Sequence, residues 1–162
     1  MLHIVLYQPQ IPENTGNISR TCIGLNAKLH LIRPYGFILS DKRVIRAGLD
    51  YWKHLNKEEH DDWYDFETKN NLENSADSKL FLITKFGYHS LSKITKNDLQ
   101  NSKDIFLVFG SETKGLDDFI KQKYANQCLK IEMGEKIRCF NLSNSVAIVA
   151  YMFHYLTDFK YF

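Results

Sequence analysis

The chain has 162 residues, 44% of them hydrophobic and 25% charged, with eight glycines and three prolines. That composition excludes collagen-like, disordered and disulfide-framework proteins and suits one domain, over residues 1–162, whose core needs no staples. The 21 basic and 19 acidic side chains leave a net charge of +2, which looks too balanced for a dedicated nucleic-acid binder, yet the total hides a division: residues 58–77 hold eight acids against Lys69 alone, while residues 1–57 and 78–162 sum to +5 and +4.

Residues 4–7 read as a short buried strand. The apolar start at Met1 has no basic leader and stops at Gln8-Pro9, and the other long apolar run, residues 146–153, is equally short of the ~20 residues a membrane span needs. Cys22, Cys128 and Cys139 are an odd number without CxxC spacing, so neither a disulfide set nor a zinc site is indicated and no metal is expected. Reduced thiols in a cytoplasmic protein follow. Beyond the loop 8–16, Ile18, Cys22, Ile23 and Leu25 recur at helical spacing, with Asn14 or Thr15 placed to cap the helix. Residues 29–32 form a second strand ending at Arg33-Pro34, where proline holds the preceding residue extended.

Residues 41–48 predict a helix carrying Lys42, Arg43 and Arg46 close to one face, whereas residues 51–72 show no clear pattern. Residues 80–84 and 105–109 are continuous apolar runs, as in central strands of a sheet covered on both faces. A short helix over 117–124 and a strand over 128–131 follow. Residues 143–155 then form a helix apolar on nearly every side, which predicts burial by more than one neighbour. The alternation implies an α/β fold with a mostly parallel sheet and no internal repeat.

Such a fold invites a nucleotide reading, but GxGxxG is absent. Gly110-Ser-Glu-Thr-Lys-Gly115 continues into Leu116-Asp117, where a P-loop requires Lys followed by Ser or Thr, so no cation is available for the phosphates of an NTP. GxSxG is missing too, which removes the commonest serine-hydrolase layout.

Three polar constellations remain. The first, Pro12-Glu-Asn-Thr-Gly-Asn-Ile-Ser-Arg20, is either a capped helix with a surface arginine or a loop and helix that bring Asn14 and Arg20 to one cavity, where Arg20 would address phosphate or ribose. The second places Gly110 directly after a strand; it is either a plain turn or a glycine that lets a ligand approach the backbone beyond the carboxyl end of a sheet. The third spans residues 131–145, and its end, Cys139-Phe-Asn-Leu-Ser-Asn-Ser145, crowds polar residues ahead of a very apolar helix, more of them than helix capping needs.

Together the three resemble the motifs of the SPOUT superfamily of RNA methyltransferases, in the branch that 2′-O-methylates ribose. They are most similar to the tRNA wobble-position (cytidine/uridine) enzymes. Met1-Leu-His-Ile-Val-Leu-Tyr7, Asp41-Lys-Arg43, Arg46-Ala-Gly-Leu-Asp-Tyr51 and Asn141-Leu-Ser-Asn144 carry the likeness further, so that it spans residues 1 to about 151. Ser111 and Glu132 stand where relatives commonly have proline, and Cys139 where serine is frequent.

The resemblance implies a parallel sheet with helices on both faces and a C-terminal trefoil knot, a topology otherwise very rare. It implies that Ile83, Thr84, Gly110, Ile131, Cys139 and Phe140 hold S-adenosyl-L-methionine, largely through main-chain groups. It implies a homodimer built on the apolar helix and a methyl transfer to the 2′-OH of nucleotide 34 in the anticodon stem-loop of tRNA. Arg20 would be the catalytic residue, with Asn14, Glu112, Ser143 and Asn144 ordering it and the ribose. Lys42, Arg43, Arg46 and Arg138 would contact RNA phosphates, while residues 58–77 would lie away from the RNA. No separate RNA-binding domain is expected. A ribosomal RNA 2′-O-methyltransferase of the same superfamily and a noncatalytic RNA-binding protein on the same scaffold are the alternatives.

Overall fold

Strands β1 (Leu2–Tyr7) and β6 (Asp104–Phe109) lie side by side in the middle of the sheet, and every residue of β1 is buried. The computed structural model describes residues 1–39 and 49–161. Around that central pair, β2 (Lys28–Ile32), β3 (Lys57–His60), β4 (Ser78–Ile83), β5 (His89–Ser90) and β7 (Cys128–Lys130) complete a seven-stranded sheet in the order β3-β2-β1-β6-β4-β7-β5. All six strand pairings are parallel.

Alternate residues of each strand serve two cores. Leu2, Ile4 and Leu6 face helix α1 (Pro12–Gly24) and helix α4 (Leu142–Leu156), packing with Ile18, Cys22, Val149 and Phe153. Val5 and Tyr7 face helix α2 (Trp63–Lys69) and helix α3 (Asp118–Lys123), packing with Trp63, Phe66 and Ile120. Helices therefore cover both faces, which is why these strands read as unbroken apolar runs. Among the described residues no helix is long and apolar enough to cross a membrane.

Several expectations change. Helix α1 begins at Pro12, so Asn14 and Thr15 lie inside its first turn and neither caps it; proline suits that first position because its missing N–H has no intrahelical partner there. Residues 51–72, unreadable in sequence, contain β3 and α2, with Asp62 capping α2 by accepting from Asp65 N. Helix α4 is covered on one side only, since Ile148, Tyr151 and Tyr155 are 42%, 58% and 62% exposed. The helix expected over 41–48 lies outside the described residues. The aromatic tail folds back on the body: Phe159 packs on Tyr151 and His154, and the Tyr161 hydroxyl donates to Ser102 O at 3.3 Å.

The acidic segment is largely spent on cations of the flanks. Lys28 holds Glu58, Arg33 holds Glu59 and Asp61, Lys123 holds Glu67 and Glu73, and Lys103 holds Asp77. Most of these pairs are exposed and add little stability, about 0–1 kcal/mol each. They fix where charge sits.

A line of buried histidines crosses the α2 face of the sheet, one from each of β1, β2 and β3. His3 Nδ1 lies 2.8 Å from His30 Nε2, and His30 Nδ1 lies 2.9 Å from His60 Nε2. Asp104 ends the line at 3.1 Å from His3 Nε2, and Asp65 lies 3.6 Å from His60 Nδ1. His30, Glu58 and His60 also bring donor atoms within 4.8 Å of one another, as a metal site would. Glu58 is held by Lys28 at 2.6 Å, however, and both His30 nitrogens are engaged by neighbouring rings, so the arrangement is a hydrogen-bonded line.

Burial is the main reason the rings stay neutral. It lowers His3 to about 4 and His30 to about 2, with Lys28 opposing their protonation and Asp104 favouring it at His3. His60 is lowered as well, by burial against the opposing pull of Glu58 and Asp65. An unfolded chain binds these protons near pH 6.5 and the folded one does not, so stability is full above that pH and falls as pH drops toward the folded values. His3 alone accounts for about 2 kcal/mol between pH 6.5 and 5, or roughly 4–8 °C in Tm. Thermal melts at pH 7 and pH 5 check this, and equal melting temperatures would contradict it.

Candidate functional site

The carboxyl ends of β1, β4, β6 and β7 point toward one end of the sheet, where the segments that follow them enclose a cavity of about 520 Å³. That volume is ordinary for a small-molecule site. Ile83 at the end of β4 and Thr84 after it, Gly110 after β6, Ile131 after β7, and Cys139 and Phe140 ahead of α4 all line it, as do Asn14 and Glu112. The structure thus brings together all six residues expected to hold a cofactor.

The loop after β6 folds back on itself. Ser111 N donates to Gly115 O at 3.1 Å and Gly115 N donates to Ser111 O at 2.9 Å, while Gly115 takes φ +74°, a conformation that favours glycine. A Cβ on Gly110 would sit 2.2 Å from the Gly115 carbonyl carbon. Gly110 is therefore required by the closure of its own loop, and it also lines the cavity, so the turn and the place beside a ligand that the sequence offered as alternatives are compatible at this position. Ser111 accepts Lys114 N on its hydroxyl at 3.2 Å and supports the same turn.

Glu112, carried by that loop, caps α1 from a distance. Its carboxylate accepts Gln10 N at 2.8 Å, Ile11 N at 3.2 Å and Asn14 Nδ2 at 3.0 Å. The amide groups pass the connection on: Asn141 Nδ2 donates to Asn14 Oδ1 at 3.0 Å, and Asn141 Oδ1 accepts Ser143 N and Ser143 Oγ at 2.8 and 2.7 Å. A single polar line thus joins the β6 loop, the start of α1 and the start of α4. The carboxylate also sits at the positive end of the α1 dipole. Asn141 is the member that sequence reasoning quoted in a motif but gave no role; its position as the residue before an apolar helix was the available signal.

Arg20 does not join this line. Because α1 already includes Asn14, six residues at 100° each leave Arg20 about 120° around the helix from it, and Arg20 is exposed and outside the cavity lining. Asn144 and Arg138 are likewise exposed and outside the lining. Ser143 reaches the cavity only through Asn141. Lys42, Arg43 and Arg46 lie outside the described residues. Asn144 shares the open side of α4 with Ile148, Tyr151 and Tyr155, so a partly apolar stripe runs from the end of the polar line down the helix.

The mouth of the cavity holds residues that the sequence did not single out. Lys85, Phe86, Lys114 and Lys121 line it on the β4 and β6 sides, and Met133, Leu142 and Ser145 complete the wall near α4.

Comparison with known proteins gives consistent matches. The model of the SpoU rRNA Methylase family matches residues 1–151. A protein of Listeria monocytogenes serotype 4b, provisionally named tRNA (cytidine(34)-2′-O)-methyltransferase, is 51% identical over 149 residues, 92% of this chain and 84% of its own. A solved structure described as giving insight into 2-OH methylation of C/U34 on tRNA superposes with a TM-score of 0.83 at 38% identity, covering 98% of this chain and 97% of that one. The SpoU methyltransferase AviRb from Streptomyces viridochromogenes, solved in complex with the cofactor AdoMet, shares the fold at a TM-score of 0.75 and 17% identity, covering 93% of this chain and 56% of that one.

Proposed function

The chain belongs to the SpoU rRNA Methylase family, and on that premise we propose that it is a tRNA methyltransferase moving a methyl group from S-adenosyl-L-methionine to the ribose 2′-OH of the wobble nucleotide, cytidine or uridine 34. The observation that carries the reading is the cavity closed by the segments after β4, β6 and β7 and backed by the line Glu112–Asn14–Asn141–Ser143. The relatives supply the substrate class. The whole chain acts as one domain in the cytoplasm. Its C-terminal segment forms a trefoil knot, a reading supported by the tight crossing at Gly87, where a Cβ would lie 2.5 Å from the Leu129 carbonyl carbon.

The lining fits the methyl donor. Ile83, Leu116, Ile131 and Leu142 offer apolar surface to an adenine ring, and loop main chain surrounds them with donors and acceptors. When bound, the donor supplies a methyl group on a cationic sulfur. The chain's own residues hold the ribose oxygen in line with that methyl; such positioning offsets ~7–11 kcal/mol in favourable cases. As the carbon–oxygen bond forms and the carbon–sulfur bond breaks, the 2′-OH loses its proton to a phosphate oxygen or water.

Arg20 is suited to donating and not to accepting, because a guanidinium offers five N–H donors and no acceptor. Its role is to grip the target phosphate and stabilise the developing alkoxide. Being outside its own chain's cavity, it serves the cavity of a second copy in a homodimer. The stripe Ile148, Tyr151 and Tyr155 on α4 supports that arrangement, since an exposed apolar stripe is suited to a subunit interface.

Incubation with labelled S-adenosyl-L-methionine and unmodified bulk tRNA, followed by mass mapping, is expected to place label on the ribose of nucleotide 34. Label appearing in ribosomal RNA and not in tRNA would sink the reading.

A further inference from the structure

Phe86 is 66% exposed at the rim of the cavity, although most large apolar side chains of this protein are buried. Its placement is built in. Phe86 N donates to the Thr84 hydroxyl at 3.3 Å, Gly87 N donates to Thr84 O at 3.2 Å, and Gly87 is pinned against the backbone of Leu129 and Lys130, where a Cβ would come within 2.5 Å. The turn therefore holds the ring outward. Two cations attend it: Lys85 Nζ lies 4.9 Å and Lys121 Nζ 5.7 Å from the ring centroid. Lys121 also pairs with Asp118 at 2.7 Å, which fixes it on α3.

An exposed aromatic face flanked by ammonium groups is the chemistry that recognises a single-stranded nucleotide, with the base stacked on the ring and its phosphates met by the cations. We propose that Phe86 stacks a base of the RNA next to the nucleotide being methylated, while Lys85 and Lys121 carry the adjoining phosphates. This rests on the RNA methyltransferase reading above and names a contact within it. The adenine of the methyl donor is the rival occupant, but the donor's one anion is the carboxylate at its far, methionine end, and apolar walls at Ile83, Leu116 and Ile131 lie within the cavity. Unstacked anticodon-loop bases are suited to such a platform.

The test compares Phe86→Ala and Phe86→Trp with the unsubstituted protein, reading steady-state kinetics on tRNA and calorimetric affinity for S-adenosyl-L-methionine. Phe86→Ala is expected to raise KM for tRNA roughly 10- to 100-fold, the range that base–aromatic stacking gives, with kcat lowered less than about threefold and donor affinity changed less than about twofold. Phe86→Trp should restore KM. An unchanged KM in Phe86→Ala, or a tenfold loss of donor affinity, would overturn the proposal, the second outcome assigning the ring to adenine. Failure of the underlying reading shows separately, as a wild-type protein that puts no label into tRNA. Anisotropy with a fluorescent anticodon stem-loop then decides on Phe86 alone: weaker binding by Phe86→Ala upholds the stack, and equal binding refutes it.

Discussion

Replacing Arg20 with alanine is expected to lower the rate of methyl transfer by roughly 10²–10³-fold, the cost of removing one preorganised donor to a developing oxyanion. Affinity for S-adenosyl-L-methionine should stay within a few-fold, because Arg20 is exposed and contributes nothing to the cavity that would hold the donor. Arg20→Lys should recover part of the rate, since lysine keeps the charge and loses the two-pronged grip on phosphate. Calorimetry on the alanine variant separates the roles: donor binding lost along with activity makes Arg20 structural and its catalytic assignment wrong. Sedimentation completes the experiment. If Arg20 serves a neighbouring cavity, active protein sediments as a dimer, and a fully active monomer would contradict the shared site.

The position of Arg20 shows how one misplaced helix start propagates. With the helix expected to begin at Asn14 or Thr15, Asn14 seemed a loop residue free to turn toward Arg20; Pro12 begins it instead, and the helical period then separates the two side chains. Nothing local signals the correct start, because the group that holds the N–H of the N-cap residue Ile11, and of Gln10 before it, is Glu112, about a hundred residues away. The central strands were legible for the opposite reason. β1, β4 and β6 are covered on both faces, so burial wrote itself into the sequence as continuous apolar runs. β3, Lys57-Glu-Glu-His60, lies at the sheet edge, where charged side chains are favoured and the strand pattern vanishes.

The histidine line was illegible because its three members are about thirty residues apart and only the strand order brings them together. The six residues that the resemblance assigns to a cofactor had no local signature of their own, and the structure draws all of them to one cavity. The charge division sharpens in the same way. Residues 58–77 neutralise Arg33 and several lysines, whereas Lys85, Lys114 and Lys121 line the cavity. A near-neutral total thus accommodates a basic rim at the cavity.

Glu112→Gln should damage stability and catalysis together. The carboxylate accepts three hydrogen bonds, one from the N-cap N–H of Ile11 that α1 cannot satisfy internally, one from Gln10 N just ahead of it and one from Asn14. An amide of the same shape keeps one acceptor oxygen and turns an NH₂ toward a donor, leaving two donors facing each other and removing the negative charge from the helix N-terminus. Hydrogen bonds to a charged group contribute about 1.5–3 kcal/mol, so we expect a loss of roughly 2–3 kcal/mol and a Tm lower by about 4–12 °C. Catalysis should fall further than stability explains, on the order of 10- to 100-fold in kcat/KM at a temperature where the variant is still folded, because a small displacement of positioning groups is costly in rate. The reason is the continuity of the line: once Asn14 is released, Asn141 loses the oxygen that orients it, and Asn141 in turn sets Ser143 and the first turn of α4. Asn141→Ala offers the internal control. It breaks the line beyond Asn14 while leaving the α1 cap intact, so its rate should approach that of Glu112→Gln with a smaller fall in Tm. A Glu112→Gln protein that melts and turns over like wild type would show that the line neither caps α1 nor positions the site.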